Sequence, residues 1–383
     1  MCLVNSFYPP WTGGAETYTS SLAKGLARNG HEVTVYCACN PLPPGESFEQ
    51  GVRVRRMRAP IRLYGTPIAI SPFNLLVEDY DIVHCNFPSP YLAALFSWFS
   101  KAKRIPSVLT WHNDLPRVTT AAGILVRAHD FLSPSYLEFY RRIIATTGVY
   151  AESSKTLRKY VKKVRVVPNG VDTTRFSPHL SGERIRETYG LQNKVVVLFV
   201  GALTQWHAYK GVDDLITAFK LSSSRQDSLR LLVVGSGPVL PFYENMVRNL
   251  SLADKVIFAK NVPDDLLPSY YAASDLVALP SKNRSEGFGL VLLEAMATAK
   301  PVIGSNVGGI SGVIRQGETG LLVNPNEPES LAGAMLKLAN DRDLRDYIGK
   351  NGRLFAEEHD WSATVAAVEK VYAEARDEHA AGK

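Results

Sequence analysis

The residues best placed to do chemistry are two carboxylates, Glu286 and Glu294, in the stretch PSKNRSEGFGLVLLEAM from Pro280 to Met296. The apolar run Leu276-Val277-Ala278-Leu279 reads as a strand, Glu286-Gly287-Phe288-Gly289 as a glycine loop, and Leu290 to Ala297 as an apolar helix. The first amides of a helix are unpaired and lie at the positive end of its dipole, so this unit makes an anion site. The glycines let a ligand approach the backbone. Glu294 falls inside the apolar run, where a carboxylate is costly without a partner. A nucleotide-sugar would supply one. Its diphosphate would sit on the amides of Gly287 to Leu290, its ribose hydroxyls on one carboxylate and its sugar hydroxyls on the other. Read alone, Glu294 fits equally well as the polar edge of an amphipathic helix.

These elements need a scaffold, and the rest of the chain alternates strand with helix. Strands are expected over 3–7, 31–36, 81–85, 107–112, within 143–150, and over 164–167, 195–200, 231–234, 256–258, 276–279, 301–305 and 319–323. Helices are expected over 15–29, 91–99, 212–219, 266–273 and 290–297, with three more starting near Glu327, Arg342 and Trp361. Such alternation implies α/β architecture with parallel sheets, which bind ligands at the carboxyl ends of their strands. His112 stands at one such end. Gly13 and Gly14 open the first helix and form a second anion site, and Lys210 follows a strand within reach of phosphates.

The string from Glu286 to Glu294 resembles the E-x7-E signature of retaining glycosyltransferases of family 4, and the resemblance extends over most of the chain. It implies the GT-B fold: two Rossmann-like domains with parallel sheets facing across a cleft, and a C-terminal helix crossing back to the N-terminal domain. Pro168-Asn169-Gly170-Val171-Asp172 resembles the family's interdomain segment. The expected division is 1–170, plus a crossing helix over about 361–383, for the acceptor side, and 171–360 for nucleotide-sugar binding. By the same resemblance His112 contacts the donor sugar, Gly13 and Gly14 meet the donor phosphates, and the backbone at Val262 pairs with the nucleobase. Gly235-Ser236-Gly237-Pro238 matches the family's "GxGP" turn. Gly201, Lys210, Glu286, Gly287, Phe288, Gly289, Leu290 and Glu294 complete the donor site. The family usually has an Arg just after the strand glycine, whereas this chain has Ala202. Lys210 is left as the main diphosphate cation, with Gln205 and His207 as helpers. The first strand begins almost at Met1, where related chains usually carry a few residues before it, so the start is expected to be late or the strand short.

The chain has 383 residues, 45% hydrophobic and 21% charged, which suits two globular domains. No signal peptide or membrane-spanning run is read. The cysteines Cys2, Cys37, Cys39 and Cys85 lack metal spacing and read as buried thiols of a reducing cytoplasm. Neither a metal nor a cofactor is expected, the donor being a UDP- or GDP-sugar. Charge is uneven: residues 1–170 carry 20 Lys and Arg against 11 Asp and Glu. One basic group is Arg53, Arg55, Arg56, Arg58 and Arg62. Another, Lys101, Lys103 and Arg104, follows a run with Leu92, Leu95, Phe96, Trp98 and Phe99. Basic residues beside aromatics suit a peripheral site on an anionic membrane, and equally a core helix with a solvated rim. The expected activity is metal-independent transfer of a hexose, with retention, to a lipid-linked or glycan acceptor in cell-envelope or exopolysaccharide synthesis. The alternatives are a hydrolase or epimerase of nucleotide-sugars and a non-catalytic nucleotide-binding module. A nucleic-acid binder finds no support beyond the sequence pI of about 9.0. The last residues, His379 to Lys383, are expected to fray.

Overall fold

The computed structural model describes every residue except 12, 64–65, 69–77, 116–120 and 382–383, and omits the side chains of 62, 63, 66, 121, 122 and 125. The chain divides into two compact units, one of Met1–Asn169 with Trp361–Lys383, the other of Gly170–Asp360.

In the first unit the strands are β1 (Cys2–Val4), β2 (Val33–Ala38), β3 (Gly45–Glu49), β4 (Val52–Met57), β5 (Ile61–Leu63), β6 (Thr66–Ile68), β7 (Val83–Phe87), β8 (Ser107–Trp111), β9 (Arg142–Ala145) and β10 (Val164–Val166). The helices are α1 (Gly14–Arg28), α2 (Pro90–Lys103), α3 (Ala121–Leu132), α4 (Pro134–Leu137) and α5 (Gly148–Ser153), with a last helix, Trp361–Ala381, contributed by the far end of the chain. Eight strands form one sheet in the order β10-β9-β8-β7-β1-β2-β4-β3. All pairs are parallel except the hairpin of β3 on β4. Strands β1, β2, β7, β8 and β9 are buried at every residue, as a sheet covered on both faces requires. Successive side chains point to opposite faces. Cys2 and Val4 join Phe96, Phe99 and Tyr140 in one core, and Leu3 joins Tyr18, Leu22, Val368 and Tyr372 in the other.

The basic run and the C-terminus of this unit differ from the sequence reading. The basic run Arg53 to Arg58 lies largely on β4, where Val52 and Val54 are buried. Arg55 bonds Glu46 at 2.7 Å and pairs with Glu78, and Arg56, itself buried, bonds Glu49 at 2.8 Å and Ser47 at 2.6 Å. The stretch is therefore largely neutralised by Glu46 and Glu49 of its hairpin and by Glu78, not a free basic surface; the Arg62 side chain lies outside the described residues. In α2, Leu92, Phe96 and Phe99 are core and Leu95 is half-buried, whereas Trp98 is 52% exposed. The C-terminal helix does not fray at His379: it runs to Ala381, and His379 Nε2 lies 2.7 Å from the carbonyl of Arg104. Residues 382–383 lie outside the described residues.

The second unit contains β11 (Val195–Val200), β12 (Leu229–Val234), β13 (Val256–Ala259), β14 (Leu276–Leu279), β15 (Val302–Ser305) and β16 (Gly320–Val323). Its helices are α6 (Glu183–Thr188), α7 (Val212–Ser223), α8 (Leu240–Asn249), α9 (Leu267–Ala273), α10 (Leu290–Ala297), α11 (Pro328–Asn340) and α12 (Arg342–Glu358); the returning helix of the first unit is α13 (Trp361–Ala381). The sheet is wholly parallel, in the order β13-β12-β11-β14-β15-β16. Relabelled from one, that is the doubly wound order 3-2-1-4-5-6, whose ligand crevice opens where the winding reverses, between the first and fourth strands. Here those strands are β11 and β14. In the first unit the winding reverses between β1 and β7.

Candidate functional site

The loops after β11 and β14 meet. The chain leaves β11 through Gly201 and Ala202, passes a short 3-10 turn over Gln205–Lys210, and enters α7 at Gly211. Gly211 adopts φ 73°, and a Cβ there would lie 2.1 Å from the carbonyl oxygen of Pro280. Only glycine allows this approach, and it brings Lys210 to the loop after β14. Lys210 Nζ donates to Glu286 Oε2 at 3.0 Å, and Ser281 Oγ lies 3.4 Å from the same oxygen. Glu286 is 7% exposed. Burial works against the Lys210 charge, but Glu286, with Tyr209 and Glu294, outweighs it and holds the ammonium's pKa above its usual value. The loop is fastened twice more. Lys282 Nζ bonds Asp213 at 2.6 Å in the first turn of α7, and Gly309 N donates to the carbonyl of Glu286 at 2.9 Å. A Cβ on Gly309 would sit 1.8 Å from the carbonyl oxygen of Gly287, so the loop after β15 packs against the glycine loop.

Gly289 takes φ 84° as the N-cap of α10, and no side chain caps that end. The amides opening α10 thus have no capping side chain, and of them Leu292 N already donates to the carbonyl of Gly289 at 2.8 Å, which leaves Leu290 and Val291 at the very start of the helix. Gly287 and Leu290 present backbone here. Phe288 does not present its ring, since its side chain is buried in the core of the unit. Of that residue only the backbone remains for a donor, because an aromatic between two glycines gains more from the core than from water. One turn into α10, Glu294 accepts a 2.6 Å hydrogen bond from the hydroxyl of Tyr271 on α9. Burial lifts its pKa to about 7, against the pull of that bond and of Arg175 and Lys210. Arg175 is held by Asp264 at 2.7 Å. Val262 is half-buried and follows Asn261, whose amide donates to Ser236 Oγ in the glycine turn after β12 at 2.8 Å. His207 is occupied by Thr204 at 2.8 Å. Ala202 is exposed and Gln205 has no bond to the Lys210–Glu286 pair.

The first unit holds Gly13, Gly14 and His112. His112 follows β8, donates its amide to the carbonyl of Phe87 at 3.0 Å, and meets the ring of Tyr18 edge-on at 4.8 Å between centroids. Its Nε2 lies 2.9 Å from Asn86 Oδ1, while Asn86 Nδ2 donates to the carbonyl of Val4 at 3.1 Å. The bond to Val4 fixes the amide orientation, so Oδ1 accepts and the imidazole carries its proton on Nε2. Nδ1 remains as an acceptor for a hydroxyl. Burial pushes the His112 pKa down to about 3, so the ring is neutral at ordinary pH. Beside it a second buried histidine, His84, bonds Tyr372 at 2.6 Å and Thr110 at 2.7 Å. Gly13 caps α1 without a side-chain bond, but the carboxylate of Glu16 comes so close that a Cβ on Gly13 would lie 2.3 Å from it. The helix therefore already has an anion at its N-terminus. Tyr18 on α1 connects that turn to His112. Sequence reasoning found His112 and Glu294 but not the residues that hold them, Asn86 and Tyr18 for His112 and Tyr271 for Glu294, nor Lys282, which fastens the loop after β14 to Asp213.

The chain has two Asp-x-Asp strings, Asp79-Tyr80-Asp81 and Asp341-Arg342-Asp343, and in each the first carboxylate is engaged. Asp79 pairs with Lys103 at 3.2 Å, and Asp341 accepts from the amide of Leu344 at 2.9 Å as the N-cap of α12. Among the described residues no group of three His, Cys, Asp or Glu could hold a metal ion. Among the same residues no helix is long and apolar enough to cross a membrane.

Two family profiles match the chain: "Glycosyltransferase Family 4" over residues 12–175 and "Glycosyl transferases group 1" over residues 181–355. An uncharacterised glycosyltransferase of Methanocaldococcus jannaschii is 30% identical over 97% of this chain and 97% of its own. A GDP-mannose-dependent alpha-(1-6)-phosphatidylinositol monomannoside mannosyltransferase of Mycolicibacterium smegmatis is 29% identical over 93% of each. Among solved structures, sucrose-phosphate synthase of Thermosynechococcus elongatus superposes with a TM-score of 0.79 at 25% identity, covering 97% of this chain and 98% of that one. HepE of Anabaena, in complex with UDP-glucose, gives 0.76 at 20% identity over 97% and 98%, a likeness of fold. The fold is GT-B, with two Rossmann-like units built on parallel sheets. With a glycine loop and two carboxylates set where its second sheet reverses its winding, and with full-length relatives of that kind, this chain belongs to the group 1 and family 4 glycosyltransferases.

Proposed function

We propose that the protein is a retaining hexosyltransferase that moves a sugar from a UDP- or GDP-sugar to a lipid-linked or glycan acceptor in cell-envelope or exopolysaccharide synthesis. The observation that carries the reading is the Lys210–Glu286 pair beside the uncapped start of α10. Lys210 has three donor protons and uses one on Glu286, so two can meet a diphosphate. With the amides of Gly287 to Leu290 they neutralise the charge that develops on the leaving group, usually the largest catalytic contribution. Glu286 accepts from sugar hydroxyls and Glu294 from ribose. His112, neutral and held by Asn86, offers Nδ1 to a sugar hydroxyl. Gly13 and Gly14 meet the donor phosphates once Glu16 moves aside, and the backbone of Val262 meets the nucleobase. No metal or cofactor takes part in this scheme. The relatives' printed names support a glycolipid or glycan acceptor and a nucleoside-diphosphate donor.

The test is a thermal-shift screen of UDP- and GDP-sugars, then NMR of the sugar transferred from the stabilising donor. An anomeric configuration equal to the donor's is expected; inversion overturns retention, and the absence of any stabilising donor overturns the transferase reading. Peripheral docking on an anionic leaflet is part of the proposal. It rests on Trp98, exposed on α2 near Lys101 and Arg104, and no longer on Arg55 and Arg56. Sedimentation with anionic vesicles at low salt should bring the protein down; protein left in the supernatant favours a soluble acceptor.

A further inference from the structure

The first unit has a second concave site at the other end of its sheet. His112 and Asn86 stand at the carboxyl ends of β8 and β7. A cavity of about 810 Å³ opens instead at the amino ends of β8, β9 and β10. The five residues of β8 separate the two ends by about 16 Å at 3.3 Å per residue.

The walls of this cavity are basic in an unusual way. Lys101, Arg104, Arg141, Lys162 and Lys163 all line it. Among the described residues none of the five has a carboxylate within ion-pair distance. This contrasts with Arg55 and Arg56 on β4, which are paired on the spot. It also contrasts with Arg142 in the same wall, which bonds Glu374 at 2.9 Å and pairs with Glu378. The cations are held in place by other means. Lys101 Nζ sits 3.8 Å from the centre of the Phe139 ring, and Lys163 donates to the carbonyl of Glu138 at 2.6 Å. His379 bridges Arg104 and Arg141. Its Nε2 donates to the Arg104 carbonyl at 2.7 Å, and its Nδ1 faces the Arg141 guanidinium at 3.5 Å. Burial, followed by the Arg141 and Arg142 charges, lowers the Lys163 pKa despite the nearby carboxylates of Glu138 and Glu378.

Like charges converging on one hollow repel one another, and a low-dielectric concavity focuses their field. The wall carboxylates, Glu138 and Glu378, are fewer than the cations, and Glu378 is already taken by Arg142; five cations spread over three chain segments ask for an anion with several charges. Guanidinium forks and ammonium groups together suit phosphate oxygens. We infer that this cavity is a binding site for a multiply charged phosphate-class anion, distinct from the donor site and formed in part by the last turn of α13.

The test uses inorganic pyrophosphate titrated calorimetrically into the full chain at low salt. Lys210→Ala removes the phosphate cation of the donor site, and Lys101→Gln/Arg141→Gln removes two walls of the cavity. Pyrophosphate binding that survives Lys210→Ala and weakens roughly tenfold or more in the double variant, the scale for lost charge-assisted contacts, supports the inference. Thermal melts check that the double variant is folded, and Glu138→Gln, which removes only a negative wall charge, should tighten binding. The inference is overturned if pyrophosphate does not bind, if Lys210→Ala abolishes all of it, or if the double variant binds like the parent. Vesicles containing phosphatidic acid separate the two sources of such a group. Vesicle capture competed by pyrophosphate assigns a lipid headgroup, and pyrophosphate binding without capture assigns a free phosphate ester.

Discussion

Lys210 and Glu286 meet at 3.0 Å across 76 residues of sequence, each on the loop that leaves one of the two strands flanking the reversal point of the second sheet. The pair couples two tasks, since the same ammonium that would face a diphosphate also compensates a buried carboxylate.

Replacing Lys210 by Ala is therefore expected to do two things. kcat/KM should fall about a hundredfold or more, the scale for removing a principal charge partner of the transition state. The fold should also lose roughly 3 kcal/mol, because Glu286 is left buried without its cation. The double variant Lys210→Ala/Glu286→Gln should regain most of that stability in a melt while remaining inactive. Turnover within threefold of the parent would assign the diphosphate to another cation.

Glu294→Gln should weaken nucleotide binding by roughly 1–3 kcal/mol through loss of a charged acceptor. The parent should show a pH dependence that the variant lacks. With a pKa near 7, Glu294 loses its charge as pH falls through that value, so nucleotide affinity should drop between pH 8 and 6. The effect on stability has the opposite sign. The unfolded chain binds fewer protons than the folded one between the ordinary Glu value of 4.5 and about 7, so this group's contribution to stability declines as pH rises through that window. Nucleotide titrations and melts at several pH values, parent against variant, check both signs.

His112 and His84 both have pKa values near 3 because they are buried. Neither ring signal should titrate between pH 5 and 8 by NMR, and the activity profile should show no His112 step. Unfolded histidines protonate near 6.5, so stability should decline as pH falls below that value. Asn86→Ala should lower kcat/KM about tenfold by freeing the His112 tautomer, and activity unchanged in that variant would refute the role given to the Nε2 proton; a titration step for His112 would refute its neutral state.

Gly309→Ala should abolish measurable nucleotide binding, since its Cβ would strike the carbonyl of Gly287 and push the glycine loop from its place. Equilibrium binding of UDP and GDP measures this. Binding unchanged in the variant would show that the loop yields without consequence.

Transfer should continue in excess chelator, because Lys210 and the α10 amides supply the positive charge. Loss of activity restored by magnesium or manganese would refute this.

The parallel β/α framework was legible because its periodicity is strong. The bounds expected for β11, β14 and α10 are those observed, since each is a short apolar run closed by glycine, proline or a polar turn. The hairpin β3–β4 was not legible. Its arginines break the apolar pattern, and only pairing with Glu46, Glu49 and Glu78 makes them strand residues. Helices α6 and α8 escaped notice because Glu183–Thr188 is short and polar and α8 carries a proline in its first turn. In the site, residue types marked Glu286, Glu294, Lys210 and His112. Their partners Tyr271 and Asn86 come from other helices and strands, and no local pattern announces such contacts.

The first unit cannot be finished when its own first 169 residues have been made. Val365, Val368, Val371 and Tyr372 of α13 fill the same core as Leu3, Tyr18 and Leu22, and Tyr372 satisfies the buried His84. During synthesis that core stays open on one face while the whole second unit is translated and free to fold. A nascent chain stalled before Trp361 should thus carry a closed second unit and an apolar, chaperone-accessible first one, so the order of folding runs against the order of the sequence.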